Sequence, residues 1–155
     1  MPIIEAHQEN RLATIRELFT EYARSIDIDL CFQRFDRELA ELPGRYAPPE
    51  GRLFLALDNQ VPAGCVAARK IDQDLCEMKR LYVRPAFRGR GLGRQLAAQT
   101  ISAAREIGYA RMRLDTLSSM TPAITLYESL GFQHIPAYYD NPSGCAVFME
   151  LKLRA

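Results

Sequence analysis

Glu77-Met-Lys-Arg-Leu-Tyr-Val83-Arg-Pro-Ala-Phe-Arg88-Gly-Arg-Gly-Leu-Gly93-Arg-Gln-Leu96 is the stretch on which the reading of this chain turns. A β-rich run ends at Val83, three alternating glycines follow, and a helical pattern begins at the far edge. Glycine tolerates positive φ and close approach by a ligand. The order strand, glycine loop, helix therefore brings backbone N–H groups and a helix N-terminus to one spot, which suits an anion such as a pyrophosphate. Arg84, Arg88, Arg90 and Arg94 add a local basic cluster, pointing to an anionic small ligand or simply forming a solvated rim. Taken alone, the loop is equally a flexible turn before a helix. It is not a P-loop, because no Gly-Lys-Ser/Thr follows. The dinucleotide fingerprint also fails: counted from Gly89 its last glycine falls on Arg94, and counted from Gly91 on Leu96.

Working outward, Leu92, Leu96, Ala97, Thr100, Ile101 and Ala104 mark an amphipathic helix ending near Gly108. Before the loop, 52–57, 61–70 and 75–83 read as three strands joined by short turns, an antiparallel meander. Upstream, Pro2 to Ala6 reads as a strand, and Leu12, Ile15, Leu18, Phe19 and Tyr22 space a first helix. A shorter helix is expected from about Phe32 to Leu42, stopped by Pro43-Gly44. Downstream, 111–116 is strand-like. Ser118-Ser119 and Thr121-Pro122 offer cap and first-turn chemistry for a helix closed by Gly131. Phe132 to Ala137 and Ala146 to Leu153 complete the strands, separated by the aromatic, turn-rich segment from Tyr138 to Gly144. The order is β-α-α-β-β-β-α-β-α-β-β, a mixed α/β single domain over residues 1–155 with a crossover helix after the fourth strand.

The bulk properties narrow the partners. The 155 residues carry a net charge of +1, which gives no general reason to expect nucleic acid or an anionic membrane. No basic leader and no long apolar run is visible, so a cytoplasmic location is expected. Cys31, Cys65, Cys76 and Cys145 form neither a C-x-x-C pair nor a zinc spacing, and no metal is expected. Cys65 and Cys76 sit in strand-like runs, as buried free thiols commonly do.

Arg88-Gly-Arg-Gly-Leu-Gly93 resembles the Arg/Gln-x-x-Gly-x-Gly/Ala motif of the GCN5-related N-acetyltransferase (GNAT) superfamily, between a strand and a helix as that motif requires. Ala123-Ile-Thr-Leu-Tyr127-Glu-Ser-Leu-Gly131-Phe132 is similar to the family's second signature, Ala-x-x-Leu-Tyr-x-x-x-Gly-Phe, in the expected order. The resemblance covers nearly the whole chain. It implies an acyl-CoA N-acyltransferase fold whose central parallel strands splay apart, with acetyl-CoA as co-substrate lying in the gap. Its partners would be a small-molecule primary amine, neither nucleic acid nor membrane, and the family leaves room for a homodimer.

By the same resemblance, backbone groups of Leu81, Tyr82 and Val83 would pair with the pantetheine arm. The loop Arg88, Gly89, Arg90, Gly91, Leu92, Gly93 and Arg94 would hold the pyrophosphate. Tyr127 matches the tyrosine that protonates the leaving thiolate, although a tyrosine here also packs a helix onto the sheet. Glu77 is the expected general base, provided burial lifts its carboxyl towards neutrality; the bland reading is a strand-edge charge near Lys79. Unbroken alternation would set Glu77, Leu81 and Val83 on one face. Many relatives carry Asn where this chain has Met120, so Ser118 or Ser119 is left to reach that space. The acceptor would be shaped by Tyr22, Arg24, Asp27, Asp29, Phe32, Arg34 and by Tyr138, Tyr139, Asp140 and Asn141; aromatics with carboxylates suit an amine, and arginines a carboxylate. His7 and His134 are isolated. Two other readings stay open: a non-catalytic acyl-CoA sensor on the same fold, and an acyltransferase using another acyl-CoA.

Overall fold

A computed structural model describes residues 2–26, 34–141 and 144–154. Cys31, Asp27, Asp29 and the expected helix start at Phe32 lie outside the described residues. The elements are β1 (Ile3–Glu5), α1 (Glu9–Ser25), α2 (Phe35–Glu41), β2 (Arg52–Asp58), β3 (Val61–Asp72), β4 (Leu75–Val83), α3 (Leu92–Ile107), β5 (Arg111–Leu117), α4 (Thr121–Ser129), β6 (Gln133–Ile135) and β7 (Ala146–Lys152). This is the predicted order.

Local chemistry accounts for the joints. Asn59 and Gln60 both take positive φ, 49° and 69°, which gives the β2–β3 hairpin a turn of the right twist. At the β3–β4 turn the Asp74 amide donates to the Asp72 carboxylate at 3.0 Å. Helix α3 ends on Gly108, whose φ of 111° suits the left-handed cap and lets its amide reach the Ala104 carbonyl. The start of α4 departs from expectation. Its cap is Met120, with no side-chain cap bond; Pro122 in the first turn sets the helix entry.

The strands form one seven-stranded sheet in the order β1-β2-β3-β4-β5-β7-β6. All neighbouring pairs are antiparallel except β4–β5, which is parallel and crossed over by α3. That pair is short: Leu75, Cys76 and Glu77 match Arg111, Met112 and Arg113, and pairing then stops. β5 stays paired to β7 along its full length, whereas β4 runs on to Val83 against β3 alone. The sheet therefore opens into a gap beyond Glu77.

Each face of the sheet carries its own core. On one, α3 and α4 cover Phe54, Val66, Met78, Met112 and Leu114. On the other, Leu12, Ile15, Leu18 and Phe19 of α1 pack on Leu53, Leu55, Cys65 and Ala67. A fully buried Leu or Phe of this kind contributes roughly 1.5–3 kcal/mol.

The alternation expected for β4 breaks at Arg80. Its φ is 61°, and the β3–β4 register shifts there between Cys65 and Ala67, the mark of a β-bulge. One extra residue reverses every later side chain. Leu81 and Val83 consequently pack with the α3 core beside Met78, while Tyr82 joins the α1 core. Glu77 is not on the face of Leu81 and Val83, contrary to the sequence expectation. The bulge is held from outside the strand: Arg80 is buried between the Tyr22 and Phe35 rings and forks onto Glu38 of α2 at 2.9 Å through both Nε and Nη2.

Candidate active site

The gap between β4 and β5 is the mouth of a cavity of about 600 Å3, walled by the loop, α3, α4 and the facing ends of both strands. The Arg84 amide donates to Ala63 of β3 at 2.9 Å. Because successive amides of a strand face opposite edges, those of Val83 and Leu81 turn to the vacated side. That edge is a row of donors and acceptors suited to an extended amide chain. One acceptor is engaged already: Arg88 Nε donates to the Val83 carbonyl at 2.9 Å, its guanidinium lying 5.9 Å from the Tyr82 ring centre.

The loop lies at the head of the cavity. Gly89 (φ 81°) and Gly91 (φ 76°) occupy the left-handed region, and Gly91 is the residue from which α3 starts. A Cβ at either would meet open space, so the glycines serve the turn. A Cβ on Gly93 would come 3.7 Å from Leu126 and 3.9 Å from Val83, at the cavity wall. The four arginines divide. Arg84 is committed to α1, with Glu21 at 2.7 Å and Glu17 at 2.8 Å, and is no part of an anion site. Arg90 pairs with Asp58 at 3.2 Å and does not line the cavity. Arg88 and Arg94 do line it, bonded to the Val83 carbonyl and to Ser129 respectively, and among the described residues neither is in a salt bridge with a carboxylate.

Tyr127 stands on α4 facing the same cavity, its ring edge-on to Phe132 with centroids 5.7 Å apart. Burial, with smaller contributions from Tyr22 and Asp115, pushes its hydroxyl well above the ordinary tyrosine value. The group stays protonated at neutral pH and can give a proton to a stronger base. The Asn that many relatives carry finds no serine substitute: Ser118 and Ser119 lie outside the cavity lining, and Thr116 and Met120 form that wall, the Thr116 hydroxyl 3.6 Å from Met120 Sδ.

Glu77 is buried but is not among the residues lining this cavity. Arg69 holds its Oε1 at 2.9 Å, and the Tyr138 hydroxyl donates to Oε2 at 2.7 Å. Burial alone would raise its carboxyl, but Lys79, Arg69 and these hydrogen bonds outweigh it, and the net shift is below the ordinary carboxylate value. The lift towards neutrality that the base role presupposed is absent. The two buried cysteines, Cys65 and Cys76, are inert. Burial pushes the Cys76 thiol up to about 12 and that of Cys65 higher.

Sequence reasoning missed Lys79, Arg80 and Asp115, all of which line the cavity. Asp115 had a readable signal. Along β5, Met112, Leu114 and Thr116 are buried and alternate with Arg111, Arg113 and Asp115, so the aspartate stands on a polar face. Of the expected acceptor residues, Tyr22 lines the cavity, Tyr138 bonds Glu77, and Tyr139 donates to Asp115 at 2.6 Å. Arg34 lines a separate recess of about 250 Å3 beneath α2. His134 meets Glu128 at the surface. No helix among the described residues is long and apolar enough to cross a membrane.

Comparison with known proteins gives one answer. N-acetyltransferase C1271.07c of Schizosaccharomyces pombe is 42% identical over 144 residues, 92% of this chain and 88% of that protein. The N-acetylaspartate synthetase of Rattus norvegicus is 32% identical over 119 residues, which span 75% of this chain but 40% of that longer protein. Among solved structures, a GNAT-family acetyltransferase from Staphylococcus aureus superposes with a TM-score of 0.81 at 22% identity, covering 99% of both chains. YncA, a putative acetyltransferase from Salmonella typhimurium with its cofactor acetyl-CoA, superposes with a TM-score of 0.70 at 24% identity over 100% of this chain and 95% of its own. The sequence model of the Acetyltransferase (GNAT) family matches residues 12–132. With that match laid over the splayed strands and the glycine loop, the chain belongs to the GNAT family and is an N-acetyltransferase.

Proposed function

We propose that this protein transfers the acetyl group of acetyl-CoA directly to the primary amine of a small molecule. The observation that carries the reading is the continuity of one cavity, from the glycine loop along the vacated edge of β4 to Tyr127. The pyrophosphate would lie on the amides from Arg88 to Arg94, helped by Arg88 and Arg94. The pantetheine would pair with the edge of Leu81, Tyr82 and Val83, taking over the carbonyl that Arg88 now bonds. In the transfer the amine lone pair attacks the thioester carbon, and a backbone amide of the open edge, that of Val83, stabilises the oxyanion. The carbon–sulfur bond then breaks, Tyr127 passes its proton to the thiolate as it forms, and the proton shed by the acylated nitrogen restores the Tyr127 hydroxyl, leaving neutral amide and free thiol.

The ammonium of the acceptor must first lose a proton. Glu77 is ionised through the neutral range and would receive it through the Tyr138 hydroxyl, which already donates to it. The acidic limb of the pH profile would then reflect the acceptor rather than a carboxyl near neutrality. A small acceptor agrees with the relative named N-acetylaspartate synthetase. A screen of amines against several acyl-CoAs, following thiol release, tests the reading: turnover with acetyl-CoA is expected, and binding of CoA with no turnover of any amine would mark a sensor instead. Tyr127→Phe should lower kcat on the order of 10³-fold, with acetyl-CoA affinity kept.

A further inference from the structure

The recess beneath α2 has no part in the transfer chemistry, and its lining carries more cations than anions. Arg34, Arg37, Arg45 and Arg69 face it with two carboxylates, Glu38 and Glu41. Both carboxylates are already engaged: the Arg80 fork takes the two oxygens of Glu38, and Arg37 pairs with Glu41 at 2.9 Å. Arg69 gives Nε and Nη2 to Glu77 Oε1, each at 2.9 Å. Arg45 donates to the Lys70 carbonyl, which leaves its charge in place. Among the described residues neither Arg34 nor Arg45 is in a salt bridge. Two positive charges are therefore left unbalanced around one hollow of about 250 Å3.

A polar group on the same wall is also left over. Tyr46 lines the recess and is 3% exposed, its ring edge-on to Phe19 with centroids 6.1 Å apart. Burial, with Glu38 nearby, keeps the proton on its hydroxyl, yet Glu38 does not come within hydrogen-bond geometry and the hydroxyl makes no hydrogen bond with a described residue. Buried polar groups without a partner are rare in folded proteins, and a bound ion or water is one ordinary explanation. Arg34, which precedes α2, adds backbone strain. Its φ of 57° and ψ of 45° lie in the left-handed region that residues other than glycine seldom adopt.

We infer that this recess is a second binding site, for a compact dianion bearing phosphate or paired carboxylates, held by Arg34, Arg45 and Arg69 with the Tyr46 hydroxyl at its inner end. Guanidinium groups meet carboxylate and phosphate oxygens alike through paired N–H donors. Like charges facing one hollow repel, and a doubly negative ligand turns that repulsion into attraction. The volume lies below the roughly 300 Å3 at which drug-sized sites begin, so the ligand is small. The site is distinct from the larger cavity. Their linings share no residue, and the bond from Arg80 of one to Glu38 of the other stands between them. The inference holds whether or not an amine is turned over.

The test is calorimetry on the full chain, with excess CoA present to occupy the glycine loop. Inorganic phosphate is titrated in one series and succinate in another, and the tighter of the two identifies the acidic group the site takes. At least one should bind at a single site with a Kd of about 1 mM or tighter. Arg45→Ala should weaken that binding at least about tenfold, and Arg45→Lys, which keeps the charge without the fork, should weaken it less. Tyr46→Phe, which removes only the hydroxyl, should cost about threefold. Circular dichroism checks that each variant folds. Binding of both anions weaker than about 10 mM, or an affinity that Arg45→Ala leaves intact, overturns the inference and leaves acetyl transfer standing.

Discussion

The two ends of the cavity are built by opposite means. At the loop end the lining is largely backbone: the turn at Gly89 and Gly91, the N-terminus of α3 and the bare edge of β4. At the other end it is side chains tied by ion pairs, Arg80 with Glu38 and Lys79 with Asp115 between segments remote in sequence, backed outside the cavity lining by Arg69 with Glu77 across the β3–β4 hairpin. A backbone site is specified by a short local sequence and survives exchange of its side chains. A site made of ion pairs depends on every partner, and losing one strands a buried charge.

The sharpest way to break this contrast is Glu38→Ala. Arg80 is 3% exposed, and without its fork it becomes an uncompensated charge beneath α2. We expect a loss of about 3 kcal/mol, roughly 6–12 °C in melting temperature; a change within about 1 °C would mean that the bulge does not depend on α2. At the donor end, Gly91→Glu places a charge and a disfavoured φ at the helix start and should weaken acetyl-CoA binding by about 100-fold, near 2.7 kcal/mol, as read by calorimetry. Retained affinity would remove the loop from the site.

Glu77→Gln should cost about 2 kcal/mol, with a definite pH signature. The folded Glu77 carboxyl lies below its ordinary value of 4.5, so its stabilisation is complete above that value and is lost as the pH falls through the lower folded one. The melting-temperature difference between wild type and Glu77→Gln should therefore be flat from pH 5 upward and close in acid. A gap that widens in acid would reverse the assignment. The smallest effect is expected for Arg90→Ala. Its pair with Asp58 is half exposed, and acetyl-CoA affinity and stability should each change by less than about 1 kcal/mol. A larger loss of affinity would return Arg90 to the phosphate site.

The same contrast explains what could be read in advance. Hydrophobic spacing, paired turns and the run from Arg88 to Arg94 are local, and they were enough for the element order and for a glycine loop between β4 and α3. The face of Leu81 and Val83 was misread because alternation assumes an unbroken strand, and the bulge at Arg80 is imposed by Glu38, which lies 42 residues earlier. Glu77 was readable as a carboxylate on β4, but its proton affinity depends on Arg69, Lys79 and Tyr138, which only the folded chain assembles. The four arginines looked alike in sequence. Asp58, Glu17 and Glu21, all distant along the chain, decide that Arg84 and Arg90 are already spent.

The bare edge of β4 has a consequence for how the protein meets its neighbours. An unpaired strand on the outside of a sheet is a template on which another chain can extend, and proteins blunt such edges with charge, proline or a cover. Here the unpaired amides of Leu81 and Val83 lie in the middle of the sheet, enclosed by β5, α3 and α4. A second polypeptide has no room to align there, whereas a slender ligand does. The protein can keep a hydrogen-bonding seam permanently open without offering it to aggregation.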